Sequence, residues 1–145
     1  MKPRVVLDTN IFVAGLSSRS GASYQLLLRC RNSEFRLVAS IPLWLEYEAV
    51  LKRDEIRKLH GLSRKKVDVF LNALALYCDP VTLHYLWRPQ LNDAKDEMVL
   101  ETALNGYAEA LVTFNAADFE TAAKRFSVSV IPPRVFLEKL KENKK

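Results

Sequence analysis

Five short runs of β-forming residues, separated by segments of helical length, restrict this chain to a narrow set of folds. The runs fall at residues 4–8, 35–39, 80–84, 110–113 and 128–131. Between them the spacing predicts helices over 21–32, from Pro42 through Leu51, over about 63–77, from Asp93 to about Asn105, and over 116–125. A last helix enters through Pro132-Pro133 and fades into the charged tail 139–145. Ser63 and Asp93 are placed to cap their helices, Pro42 suits a first turn, and Gly106 suits a helix end. Neighbouring strands joined by helices pair in parallel, and the crossovers cover both faces of the sheet. The expected fold is α/β, a three-layer α/β/α sandwich around a mostly parallel central sheet. No internal repeat, linker or second domain is visible, so 1–145 reads as a single domain.

A chain of 145 residues is long enough to bury about two-thirds of its unfolded surface in one core. An apolar fraction of 49% with only 4 glycines argues against disorder and against a glycine-rich β-sandwich. With 22 basic and 17 acidic side chains the formal charge is +5, which favours anionic partners without identifying one. Cys30 and Cys78 sit in apolar, helical settings without metal-binding spacing, as expected of buried thiols in a reducing compartment. Lys2 and Arg4 precede only a few apolar residues before Asp8, which is no signal-peptide pattern, and no run approaches the roughly 20 apolar residues of a membrane span. The expected location is the cytoplasm, with no membrane contact.

Asp8 closes the first apolar run and opens Asp8-Thr9-Asn10-Ile11-Phe12, which delivers a carboxylate to the carboxyl end of a strand, where open α/β sheets bind ligands. Three more acids stand beside apolar elements further on: Glu46, Asp96 and Asp118. At about 100° per residue, Leu43, Tyr47, Val50 and Leu51 share one helix face, with Glu46 at its edge and Glu48 pointing away. On the helix after Asp93, the stripe Val99, Leu100, Ala103 and Tyr107 has Asp96 at its centre, so Glu97 and Glu101 are expected to face outward.

Each acid also has a plain structural explanation. Asp8 could cap a helix beginning near Asn10, Glu46 could be a solvated helix residue, and Asp96 could complement a helix dipole. Asn115-Ala116-Ala117-Asp118 has the spacing of a capping box. Convergence is the stronger reading, because a buried strand end is an expensive place for a charge without compensation.

Carboxylates gathered in a partly buried site repel one another unless protonated or neutralised by a cation. Mg²⁺ or Mn²⁺ fits an all-oxygen set with no His or Cys cluster; His60 and His84 are distant in sequence and read as structural or surface residues. Such a site suits phosphodiester hydrolysis. A phosphatase on a similar sheet is a weaker reading, since Asp8-Thr9-Asn10 lacks a second acid two residues after the first.

Asp8-Thr9-Asn10, the segment Glu46-Tyr47-Glu48-Ala49-Val50-Leu51, the block Asp93-Ala94-Lys95-Asp96 and the run Val112-Thr113-Phe114-Asn115-Ala116-Ala117-Asp118-Phe119 together resemble the signatures of PIN-domain proteins. The resemblance is closest to the toxin components of toxin–antitoxin systems, similar to VapC-type toxins, and extends to Val130-Ile131-Pro132-Pro133-Arg134-Val135-Phe136-Leu137. It implies a Mg²⁺- or Mn²⁺-dependent endoribonuclease, a homodimer, and neutralisation by a small antitoxin protein. It further implies that Asp8, Glu46, Asp96 and Asp118 are the catalytic, metal-binding acids, that Asp93 is an auxiliary acid, and that Asn10, Thr113 and Asn115 orient ligands or water. Two positions depart from the pattern: Asn92-Asp93-Ala94 replaces an Arg-Asp-Pro often found there, and Asn115 stands where many relatives carry another acid. The competing expectation is a PIN-like module that binds RNA or a protein without cleaving.

Overall fold

The computed structural model describes residues 2–84, 91 and 93–143. Its elements are β1 (Arg4–Leu7), α1 (Thr9–Ser17), α2 (Ala22–Arg31), β2 (Arg36–Ser40), α3 (Ile41–Leu51), α4 (Asp54–His60), α5 (Arg64–Ala75), β3 (Cys78–Val81), α6 (Ala94–Asn105), β4 (Ala110–Val112), α7 (Ala116–Phe126), β5 (Ser129–Ile131) and α8 (Pro133–Asn143). The strands form one five-stranded sheet in the order β3-β2-β1-β4-β5, every pair parallel. The α/β/α expectation holds.

The order follows from two outward walks. The chain steps from β1 to β2 to β3, then crosses back to place β4 on the other side of β1. Right-handed crossovers send the two walks to opposite faces. Accordingly α1 packs on α2 and α2 on α8, while α6 packs on α7 and against β1, β2 and β4. Covered on both sides, Val5, Val6, Leu7, Leu37, Val38, Leu111 and Val112 are buried without alternation, which is why these strands read as continuous apolar runs. Gly15 permits the close approach of α1 to α2, because a Cβ there would stand 2.6 Å from the Leu27 side chain.

Local chemistry sets most element ends as the sequence predicts. Ser63 accepts from the Lys66 N–H at 3.2 Å, Asp93 accepts from the Lys95 N–H at 2.8 Å, and Pro42 occupies the first turn of α3. The seven-residue α4 has no counterpart in the sequence expectation; Gly61 ends it in the left-handed region at φ 75°. His60 is structural: it bonds the Leu51 carbonyl at 2.9 Å and accepts from the Leu62 N–H at 3.0 Å, pinning α4 to the end of α3. Strand β3 runs over Cys78–Val81 rather than 80–84, in register from Leu37↔Cys78 to Ser40↔Val81. Pro80 is tolerated because β3 is an edge strand. Burial pushes the Cys30 thiol up to about 12 and the Cys78 thiol up to about 11, and both are free.

One helix departs from the periodicity argument. Glu97 and Glu101, expected to face outward, are 4% and 2% exposed, whereas Tyr107, expected in the apolar stripe, is 85% exposed. Helix α6 crosses the central strands with α3 and α7 at its flanks. Two described residues beyond β3 also bond to it: the Leu91 N–H donates to Glu97 Oε1 at 2.7 Å and the His84 N–H to Asn105 Oδ1 at 2.9 Å. A helix enclosed on several sides has no single solvated face for the acids to occupy. Tyr107 lies beyond the Gly106 cap in a left-handed conformation, φ 52°, outside the helical period.

At the amino end of the sheet Asp79 bridges two strands, with Arg4 Nη1 at 2.9 Å from Oδ2 and Arg36 Nη2 on Oδ1. Arg4 Nε also reaches the Gly106 carbonyl at 3.0 Å. Arg36, and then Arg4, hold the Asp79 carboxyl below its ordinary value. The bridge therefore stabilises above the unfolded-chain value of about 4 and is lost as pH falls through the lower folded value. Asp79→Asn should cost about 1 kcal/mol or less at pH 7, given the partial exposure of all three groups. Thermal melts of both proteins should converge as the pH is taken below about 4.

Candidate active site

The site begins where β1 ends. The Asp8 N–H extends the β1–β4 pairing by donating to the Val112 carbonyl at 2.9 Å, and the chain then turns directly into α1. Asp8 Oδ1 accepts from the Thr9 N–H at 2.7 Å, so this residue does cap a helix, as its plain explanation holds. Its other oxygen, Oδ2, accepts from the Thr113 hydroxyl at 2.7 Å, and the residue is left 8% exposed. Burial raises the Asp8 carboxyl; the bonds from Thr113 and Thr9 oppose that rise, and the charges of Asp93 and Asp118 add to it. Thr113 is fully buried, and its hydroxyl oxygen accepts from the Asn115 N–H at 3.0 Å. That acceptance leaves the hydroxyl proton for Asp8.

Glu46 reaches the same region because its neighbour is anchored. Tyr47 is completely buried against Phe12, with ring centroids 4.5 Å apart, and its hydroxyl donates to the Leu7 carbonyl. This bond ties α3 to the last residue of β1. The Glu46 side chain is 17% exposed, and its Oε1 lies 3.7 Å from Lys95 Nζ. Glu48 is 42% exposed and pairs with Lys52 at 3.2 Å, as the helix phase requires.

Asp96 occupies the first turn of α6 and is partly buried. Desolvation, followed by the charges of Asp8, Asp93, Asp118 and Glu97, pushes its carboxyl up to about 6. Asp93 is exposed and caps the same helix; Asn92 before it lies outside the described residues. Asp118 is exposed in the first turn of α7 and stands off the cleft wall, although its charge acts on both Asp8 and Asp96. The capping-box explanation of Asn115 and Asp118 fails, since the Asn115 side chain makes no cap bond. It lines the cleft instead.

Asp8, Asn10, Glu46, Asp93, Asp96 and Asn115 together line a cleft of about 700 Å³. Val13, Ala14, Val50, Ile56 and Leu59 belong to the apolar part of its wall. Ile56 and Leu59 gave no signal in the sequence because α4 itself gave none. The cleft opens where the strand order reverses between β1 and β4, the crevice in which doubly wound sheets bind ligands.

Among the described residues no group of three His, Cys, Asp or Glu is arranged to hold a metal ion. Three of the acids pair within the chain: Asp8 with Thr113 and Thr9, Glu46 with Lys95, Asp93 with the Lys95 N–H. The donor chemistry nevertheless fits a hard cation. The groups are all oxygens, burial and then like charge push the Asp8 and Asp96 carboxyls up, and Asn10 Oδ1 is buried with no hydrogen-bond partner among the described residues.

Residues 4–117 match the family described as PIN domain. Among solved structures, the chain resembles VapBC2 from Rickettsia felis bound to a promoter DNA fragment, with TM-score 0.53 and 18% identity over 88% of this chain and 96% of that one. It also resembles FitAB bound to an IR36 DNA fragment, with TM-score 0.58 and 17% identity over 89% and 94%. At these identities the likeness is one of fold. No curated protein matches the chain.

Because the folded Asp96 carboxyl lies above its unfolded value, the metal-free protein should lose stability as pH rises through about 4 to 6. Asp96→Asn removes one repelling charge, so its metal-free thermal midpoint at pH 7 should equal or exceed that of wild type, with a weaker dependence on pH in that window. Scanning fluorimetry in EDTA at about pH 4.5 and 7 reads both effects. A lower mutant midpoint at pH 7 would instead mark Asp96 as a structural group.

Proposed function

The chain belongs to the PIN-domain family, and from that premise we propose that it is a metal-dependent endoribonuclease, the toxin of a toxin–antitoxin pair. The observation that carries this reading is the convergence of Asp8, Glu46, Asp93 and Asp96, from three separate stretches of chain, on one cleft at the carboxyl end of the sheet. In this reading Asp8, Glu46, Asp96 and Asp118 hold Mg²⁺ or Mn²⁺, and Asp93, Asn10, Thr113 and Asn115 orient ligands or water. Held there, such an ion would supply Lewis acidity toward water at neutral pH and would offset charge on the scissile phosphate. Thr113 keeps the Asp8 carboxylate oriented and opposes its tendency to protonate on burial, while Tyr47 fixes the approach of α3 and so of Glu46.

The partners follow from the same reading. We assign the apolar wall formed by Val13, Ala14, Val50, Ile56 and Leu59 to the small antitoxin; the fold relatives are complexes, VapBC2 and FitAB, each bound to a DNA fragment. For a homodimer, Leu26, Leu71 and Leu74 are already buried in the core. A groove of about 460 Å³ lined by Leu16, Leu27, Leu28, Phe70 and the exposed Leu76 offers the apolar surface. Among the described residues no helix is long and apolar enough to cross a membrane. We place the protein in the cytoplasm as one domain. The competing reading, a module that binds RNA or protein without cleaving, draws on the chain-satisfied state of Asp8, Glu46 and Asp93.

Purified protein with Mn²⁺ should cleave RNA. Asp8→Asn and Glu46→Gln should each abolish cleavage with the fold intact, whereas Glu48→Gln should be nearly silent. Full activity in Asp8→Asn would overturn the nuclease reading, and metal-independent binding without cleavage by wild type would favour the module. RNA affinity should fall linearly on a log–log plot against salt, since Lys and Arg neutralise phosphates. Arg19 and Lys95 are the described candidates for those contacts; Arg88, a third, lies outside the described residues. Filter binding at several salt concentrations measures the slope, and a flat line contradicts the electrostatic contribution.

A further inference from the structure

We propose that Phe114 and Lys95 form a nucleotide subsite beside the acids, with an unstacked base on the Phe114 ring and its phosphate on the Lys95 ammonium. This rests on the ribonuclease reading and names how that site selects its substrate. Among the described residues lining the cleft, Phe114 is the one aromatic and Lys95 the one cation.

The Phe114 backbone is held in place while its ring is left largely uncovered. Its neighbours on β4, Ala110, Leu111 and Val112, are at most 6% exposed, yet Phe114 is 52% exposed. Its backbone is fixed on both sides: the Thr113 N–H donates to the Ile131 carbonyl at 3.0 Å, and the Asn115 N–H donates to the Thr113 hydroxyl at 3.0 Å. That hydroxyl in turn donates to Asp8 at 2.7 Å. An exposed aromatic ring one residue from the threonine that binds the central acid, on an anchored backbone and lining the same cleft, can serve as a stacking platform beside the acids.

Charge supplies the second half of the argument. Asp8, Glu46, Asp93 and Asp96 repel a polyanion entering this cleft, so the substrate needs a local cation. The Lys95 side chain stands 56% exposed, with Nζ 3.7 Å from Glu46 Oε1. An ion pair so long and solvated holds weakly, and exchanging the carboxylate for a phosphate oxygen costs little. Stacking on Phe114 requires a base out of its helix, so the subsite takes single-stranded or looped RNA, and it tolerates any base because every base has a π face.

The test reads binding apart from turnover, in an Asp8→Asn background with Mn²⁺, by anisotropy of a labelled single-stranded RNA. Phe114→Leu should weaken binding about 10-fold or more, and Phe114→Trp should restore it. The same RNA carrying abasic sites should bind equally to the protein that retains the Phe114 ring and to Phe114→Leu. Lys95→Met should reduce the salt slope by about 0.7, one phosphate contact on a single strand, where Lys95→Arg should not. Melting curves of each variant establish folding. Unchanged affinity in Phe114→Leu overturns the subsite and assigns that ring to a protein contact. Equal losses in Phe114→Leu and Phe114→Trp also overturn it, because packing rather than stacking would then be at stake. If the unmutated protein neither binds nor cleaves RNA, the nuclease reading falls with it; if it cleaves and Phe114→Leu cleaves equally, only the subsite falls.

Discussion

The bond from the Thr113 hydroxyl to the Asp8 carboxylate joins the ends of β1 and β4 where the sheet reverses its order, and the rest of the site is arranged around it. A carboxylate 8% exposed on a strand end would ordinarily be unfavourable. Here one oxygen is satisfied by a hydroxyl and the other by the first N–H of α1, so the acid serves the fold while remaining available to the cleft. Two further contacts use the same strand ends. Tyr47 bonds the Leu7 carbonyl and brings α3 in, and α6 lies across β1 and β4 so that its first turn meets the cleft. Removing the hydroxyl would affect more than one bond, since the Asn115 N–H would lose its acceptor as well.

The two ends of the sheet treat charge in opposite ways. At the amino end Asp79 lies between Arg4 and Arg36, and its carboxyl is held low. At the carboxyl end the carboxyls of Asp8 and Asp96 are pushed up by burial and by other acids, with Lys95 as the one cation among the described residues of the cleft wall. The end left uncompensated, where the strand order reverses, is where an external cation has the most to contribute.

Much of this was legible in the residues. Buried parallel strands announce themselves as continuous apolar runs, and the caps at Ser63 and Asp93 mark helix starts because their side chains bond the second or third N–H. The phase of Glu46 against Glu48 survives because α3 has one genuinely solvated side. The same arithmetic failed for Glu97 and Glu101: α6 packs against three strands with α3 and α7 at its flanks, His84 and Leu91 bond to it, and periodicity in one helix carries no information about what other segments pack on it. Helix α4 escaped notice because seven residues give barely two turns of pattern and Arg53 makes no side-chain cap. With it went Ile56 and Leu59, hence the apolar wall of the cleft.

Asn115 shows how a single neutral side chain sets the balance of the site. It follows Phe114 and lines the cleft beside Asp8 and Asp96, and its side chain is not engaged in capping α7. An aspartate there would add another like charge to two carboxyls that already feel Asp93 and Asp118, raising both further. The amide instead offers an oxygen without a charge, and the buried, unpartnered Asn10 Oδ1 does the same from the first turn of α1. On the nuclease reading proposed above, two neutral oxygen donors among the acids would add less repulsion to the cation-free cleft than two further carboxylates while still offering oxygens to a cation. On that same reading, a cleft with fewer charges would cost the metal-free fold less repulsion and would favour a single divalent ion over a pair.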